Sequence, residues 1–230
     1  MQNTEWNDEF LREIETEGYP KYPNEVMLKV IFGSYLKKRP QLNSSWTVLD
    51  VGCAMGSNLI PFADLGCKVC GIDIHSQITD NARKIMTHRG YKDLDFCEGS
   101  NRSIPFPDNH FDLITSINTL HYEQNEKDIM SALKEFRRVL KPGGGLYIST
   151  VGPQHVIYNR SKMIGDHQNI IQDFDFRNGE QFFFFDNERY LDYYLSKLYD
   201  GVETGQVTEK LMTMNLDFLV SYAKKPVNSN

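Results

Sequence analysis

The feature that most limits how this chain can fold is a repeated alternation of an apolar, β-rich run, a glycine-bearing turn and an amphipathic stretch. Residues 46–53 (WTVLDVGC) read as a buried strand, with Gly52 to Gly56 as its turn. Residues 57–65 suit a short helix, because Pro61 falls in the first turn, where proline is tolerated, and Gly66 stops it. Residues 67–74 form the next strand, 77–88 a helix closed by Gly90, and 94–98 a third strand. A turn at Asp108 and Asn109 precedes a fourth strand, 111–117. Residues 128–140 place Ile129, Leu133, Phe136, Val139 and Leu140 on one helical face, and Lys141, Pro142 and Gly143 to Gly145 break that helix before a fifth strand, 146–151. Strands that alternate with helices at this spacing need crossover connections, so the expected fold is α/β: a doubly wound, mainly parallel sheet with helices on both faces.

Ligands on such sheets sit outside the carboxyl ends of the strands, where the strand order reverses. The loops after Cys53, Asp73, Glu98 and Ile117 therefore surround one expected site. The sharpest motif there is VLDVGCAMGSN. Gly52 and Gly56 let the backbone turn tightly and approach a ligand, and the following helix offers free N–H groups. The glycines are four apart, unlike the GxGxxG of a dinucleotide fold. Asp73 follows about 20 residues later, where an acid would meet the hydroxyls of a ribose.

A net charge of −6 argues against general affinity for nucleic-acid backbones. No apolar run reaches the roughly 20 residues of a membrane-spanning helix, and the acidic start MQNTEWNDEF does not fit a secretory signal. Cys53, Cys67, Cys70 and Cys97 all fall in or beside apolar runs, where thiols act as small hydrophobes. Cys67 and Cys70 run into an extended segment that turns them to opposite faces, with no second ligand pair, so no metal is expected. These readings place the chain in the reducing cytoplasm.

The stretches VLDVGCAMG, VCGIDI, FCEGSNRSIPFPDNHFDLITS, LHY and EFRRVLKPGGGLYIS occur in the order in which the sequence resembles the class I S-adenosylmethionine-dependent methyltransferases of the small-molecule type. The resemblance covers about residues 46–151. It implies a Rossmann-like, seven-stranded sheet ending in an antiparallel pair, for which residues 202–208 and 217–223 are available. It implies S-adenosylmethionine as cofactor, with Asp50, Gly52, Cys53, Ala54 and Gly56 around its methionine end. Asp73 would hold the ribose, Ile74 would pack on the adenine, Ser100 and Asn101 would lie beside the adenine amino group, and Ile117 would offer its backbone to the amino-acid end. Two departures stand out: Ala54 replaces the middle glycine of the family loop, a mild change if its φ stays negative, and Ser100 replaces an acid.

Methyl transfer from a sulfonium is an in-line displacement with a neutral leaving group, so alignment can carry much of it, while an alcohol acceptor also needs a base. His121, directly after the fourth strand, is the candidate base, against the alternative of a histidine that only shapes the loop. Residues 152–185 form a long connection of the kind that covers sites, and it offers His155, Tyr158, Arg160 and Lys162 for a polar or anionic acceptor. Residues 1–40 form an expected helical cap, with Trp6, Tyr19 and Tyr22 able to close the site. Phe182 to Phe185 read as core, because a strand of four aromatics buries both faces. The chain is thus expected to be a single domain: cap, cofactor core (46–151), lid (152–185), and a final helix with a strand pair (186–224). The segment Asn118-Thr119-Leu120-His121 lacks the prolines and aromatic of a nucleic-acid amino-methylating clamp, and the loop spacing disfavours nicotinamide chemistry. A cofactor-binding partner without catalysis, or a methyltransferase of protein or another substrate, stands as the alternative.

Overall fold

In a computed structural model, described for residues 22–174 and 177–227, seven strands form one sheet. The strands are β1 (Thr47–Val51), β2 (Lys68–Asp73), β3 (Leu94–Glu98), β4 (Phe111–Ile117), β5 (Leu140–Val151), β9 (Asp200–Leu211) and β10 (Met214–Lys224). Their order is β3-β2-β1-β4-β5-β10-β9; β1 to β5 pair in parallel, and β10 runs antiparallel to both β5 and β9. The order reverses between β1 and β4. The carboxyl ends of those two strands therefore diverge into loops on opposite sides of one crevice.

Helices cover both faces, as the alternation along the strands requires. Leu49, Val51, Cys70, Ile72 and Ile114 join one cluster with Ile129, Leu133 and Phe136 of α4 (Glu126–Val139) and Leu191, Tyr194 and Leu195 of α6 (Glu188–Ser196). Val48, Val69 and Leu113 face the other way. They pack with Met27 and Ile31 of α1 (Glu25–Phe32), Phe62 of α2 (Ile60–Asp64), and Ala82 and Met86 of α3 (Ser76–His88). The odd and even residues of one strand thus belong to different cores. Cys67 and Cys70 divide the same way, and the four cysteines are unpaired. Three helices, α1, α4 and α6, begin on an asparagine whose side chain takes a backbone N–H: Asn24 from Met27, Asn125 from Asp128 and Asn187 from Tyr190. Among the described residues no helix is long and apolar enough to cross a membrane.

The structure shifts several expected boundaries. The glycine run after α4 does not break the chain into a loop; β5 begins at Leu140 and passes through Gly143 to Gly145 as an irregular strand. The connection expected to be irregular is ordered. It contains α5 (Val156–Asn159) and a second, antiparallel sheet of β6 (Ser161–Gly165), β7 (Gln168–Ile171) and β8 (Gln181–Phe183). Its patterning was hidden because two of these strands have only three or four residues, too few for a clear period.

Candidate active site

The loop between β1 and α2 is built on left-handed backbone. Gly52, Ala54 and Gly56 have φ of +70°, +46° and +79°. At Gly52 a Cβ would collide with the Thr119 methyl, so the absent side chain makes room for the loop after β4. The condition that would make the Ala54 change mild, a negative φ, is not met: Ala54 adopts the glycine conformation, at a cost of about 1–2 kcal/mol for a residue with a Cβ. What holds it there is in view. Its N–H donates to Asp73 Oδ2 across 3.2 Å, and Gly52 and Cys53 donate to the Ile72 carbonyl at 2.8 and 2.9 Å. The end of β2 therefore sets the conformation of the loop after β1.

Asp50 lies wholly inside, beneath this loop. Its carboxyl accepts from Thr115 Oγ1 at 2.6 Å and from Asn58 Nδ2 at 3.4 Å. Burial pushes its pKa up to about 7, against the pull of those two donors. Asn58 Oδ1 in turn accepts the Asn24 N–H at 2.9 Å, which ties the start of α1 to the glycine loop. Asp73 is also raised by burial, opposed first by the Ala54 N–H.

On the other side of the crevice, Asn101 locks the loops after β3 and β4 together. Its Nδ2 donates to the Thr119 carbonyl (3.1 Å) and to Glu123 Oε1 (3.0 Å), and its Oδ1 accepts from Thr119 Oγ1 (3.2 Å). Glu123 also pairs with Arg102 at 2.9 Å. Ser100 and Ser103 exchange backbone hydrogen bonds and close the turn that carries Asn101.

His121 sits in a 3-10 turn, Leu120–Tyr122, and is only 1% exposed. Its Nδ1 lies 3.3 Å from Thr150 Oγ1, and its ring packs on Tyr122 and Phe182 with centroids 4.6 and 4.5 Å away. Burial drives its pKa well below the usual value, so the ring is neutral at pH 7. His155 is buried too. Its Nδ1 caps α5 by accepting the Ile157 N–H at 3.1 Å, and burial lowers its pKa to about 4. Arg177, from the small sheet's side, lies within electrostatic reach of both histidines, Tyr122 and Glu180, and Glu180 within reach of Tyr122.

Residues 48–144 match the family model of a methyltransferase domain. A demethylmenaquinone methyltransferase of Renibacterium salmoninarum is 33% identical over 50% of this chain and 48% of its own length. An uncharacterised methyltransferase, YcgJ of Bacillus subtilis, is 29% identical over 46% of this chain and 41% of its own length. The chain thus spans about half or less of these curated relatives. The crystal structure of an S-adenosylmethionine-dependent methyltransferase from Methanosarcina mazei superposes with a TM-score of 0.68, covering 90% of this chain and 100% of that one at 21% identity. That identity speaks for the fold alone.

Over residues 48–144 in sequence, and across the sheet in fold, the chain is similar to methyltransferases.

The residues of the crevice fit S-adenosylmethionine, the cofactor named for the Methanosarcina mazei structure. The crevice combines left-handed backbone at three positions, a missing Cβ at Gly52, and a buried acid, Asp73, at the end of β2. Cys53, Ile74 and Ile117 flank it at the carboxyl ends of β1, β2 and β4. Asn101 is committed to the loop lock, and Asp50 to Thr115 and Asn58; both shape the crevice from behind. The acceptor candidates divide. His121 and His155 come together under the small sheet, and Tyr158 packs edge-on against Phe184 at 5.0 Å. Arg160 is exposed and turns outward over Phe174, Lys162 is exposed, and Tyr22 is 83% exposed. Trp6 and Tyr19 lie outside the described residues. The sequence reading missed Asn58, Thr115, Thr119, Glu123, Tyr122, Arg177 and Glu180. Asn58 and Thr119 sit two residues from named site positions, so proximity to the motifs was a usable signal. Nothing local marked Arg177 or Glu180, which a three-stranded sheet brings back over β4 and β5.

Proposed function

We propose that the chain is an enzyme that transfers a methyl group from S-adenosylmethionine to a small polar or anionic acceptor, at oxygen. The observation that carries this reading is the loop from Gly52 to Gly56, held left-handed by the Asp73–Ala54 bond where the strand order reverses. When bound, the cofactor supplies a methyl group on a sulfonium, whose leaving group is a neutral thioether. Asp73 accepts from the ribose hydroxyls, Ile74 packs on the adenine, and the backbone of Gly52 to Ala54 and of Ile117 holds the amino-acid end. His121 takes the acceptor's proton. Its lone pair is free at pH 7, and its depressed basicity suits an acceptor oxygen that is itself acidic. His155 and Tyr158 line the acceptor side, and burial of both histidines keeps water from the transferring group. With a net charge of −6 the acceptor is not a nucleic acid, and four unpaired cysteines suit a reducing cytoplasm.

Calorimetric titration with S-adenosylhomocysteine, with NAD as control, tests the reading. Micromolar binding of the former alone is expected, and Asp73→Ala weakens it about 100-fold, the scale of losing charge-assisted hydrogen bonds to two hydroxyls. A folded protein that binds neither compound, or only NAD, refutes it.

A further inference from the structure

Glu180 is a buried polar group that the proposed mechanism leaves unused. It sits just before β8, is 8% exposed, and its Oε2 is shielded from solvent without a hydrogen-bond partner among the described residues. A buried carboxyl oxygen left in this state is costly, more so when charged, and a ligand's donor would relieve that cost. Phe182, two residues on, packs on His121 at 4.5 Å and on Tyr122 at 4.8 Å, and the charge of Glu180 is felt at the Tyr122 hydroxyl. Burial raises the Glu180 carboxyl to about 7, with Arg177 pulling the other way.

Three flat rings meeting beside an unpartnered carboxyl favour one chemistry. We propose that Glu180 selects the acceptor: it takes a hydrogen bond from a hydroxyl or amino group of a flat, largely apolar molecule whose ring packs on His121, Tyr122 and Phe182. The proposal rests on the methyltransferase reading and narrows it from a polar or anionic acceptor to a donor-bearing aromatic one. Above about pH 7, where the Glu180 carboxyl is ionised, an anionic group in the same place would face a like charge and be rejected.

The test uses three probes of one shape, 1-naphthol, 1-naphthylamine and 1-naphthoate, titrated calorimetrically at about pH 8, where Glu180 is ionised, into the full chain saturated with S-adenosylhomocysteine. The wild type binds the naphthol and the naphthylamine at least 10-fold more tightly than the naphthoate. Glu180→Leu loses that preference, and the isosteric Glu180→Gln reduces it several-fold, which keeps the test sound if leucine disturbs the fold. Affinity for S-adenosylhomocysteine is the same in all three proteins. Equal or tighter naphthoate binding overturns the proposal, as does an unchanged preference in both variants or the absence of naphthol binding at millimolar concentration. Failure to bind S-adenosylhomocysteine is a separate result and overturns the parent reading instead.

Discussion

Ala54 is the residue where local preference and fold disagree most openly. Its φ of +46° belongs to glycine, and the Asp73 carboxylate and the ends of β1 and β2 impose it. Ala54→Gly should relieve about 1–2 kcal/mol of backbone cost and lose part of that to the freer unfolded chain. A net gain of about 0.5–1 kcal/mol is expected in urea unfolding, with S-adenosylhomocysteine affinity undiminished. Destabilisation by the same change would show that the Ala54 methyl makes a contact worth more than the strain. Sequence motifs carried the crevice as far as Gly52, Asp73 and the loop ends, because turns and strand ends are local. They did not carry φ at Ala54, which depends on a carboxylate 19 residues away.

At the scale of elements, the small sheet hangs on β10 as much as on its own two ends. Asp217, fully buried, accepts from the Gln154 N–H, Gln206 Nε2 and Thr208 Oγ1, each at 2.8 Å, while its carbonyl takes the Gly152 N–H. One side chain thus joins the start of the 152–185 connection to the β9–β10 hairpin. Asp217→Ala leaves those donors unanswered, so a loss of about 3 kcal/mol is expected in urea unfolding. Proteolysis between residues 153 and 180 should quicken with it; cleavage elsewhere at wild-type order would refute the coupling. The main sheet was legible because its strands are long and apolar and its helices are strongly amphipathic. The same reading saw residues 152–185 only as a cover, since strands of three or four residues leave too short a pattern to register. Phe182 to Phe185 were the exception: all four are buried, as a strand with two dry faces requires.

For the whole molecule, opposing groups set the pH dependence of stability. Asp50 and Glu180 have folded pKa values of about 7, above those of an unfolded chain, so their contribution is full below about pH 4 and is lost as pH rises through 7. His155, lowered to about 4, and His121, lowered well below the usual imidazole range, act in reverse: their contribution is present above about 6.5 and is lost as pH falls. Between about pH 4.5 and 6.5 the two sets offset each other. Asp50→Asn should make the slope of unfolding free energy against pH more positive by up to about 1.4 kcal/mol per unit, and His155→Gln more negative by a similar amount. Urea unfolding at pH 5.0 and 6.5 measures both; parallel slopes in wild type and variants would sink the assignment. The four phenylalanines link this same interior to the history of the fold. Phe183 and Phe185 belong to the core of the main sheet, and Phe182 and Phe184 to the cluster under the small one. A slip of β8 by one residue along β7 would exchange the two sets, whereas a slip of two would restore them. Parity therefore governs this pairing: the edge of the cover can re-register only in even steps, while the nine residues between β7 and β8 are free to lengthen or shorten by any number.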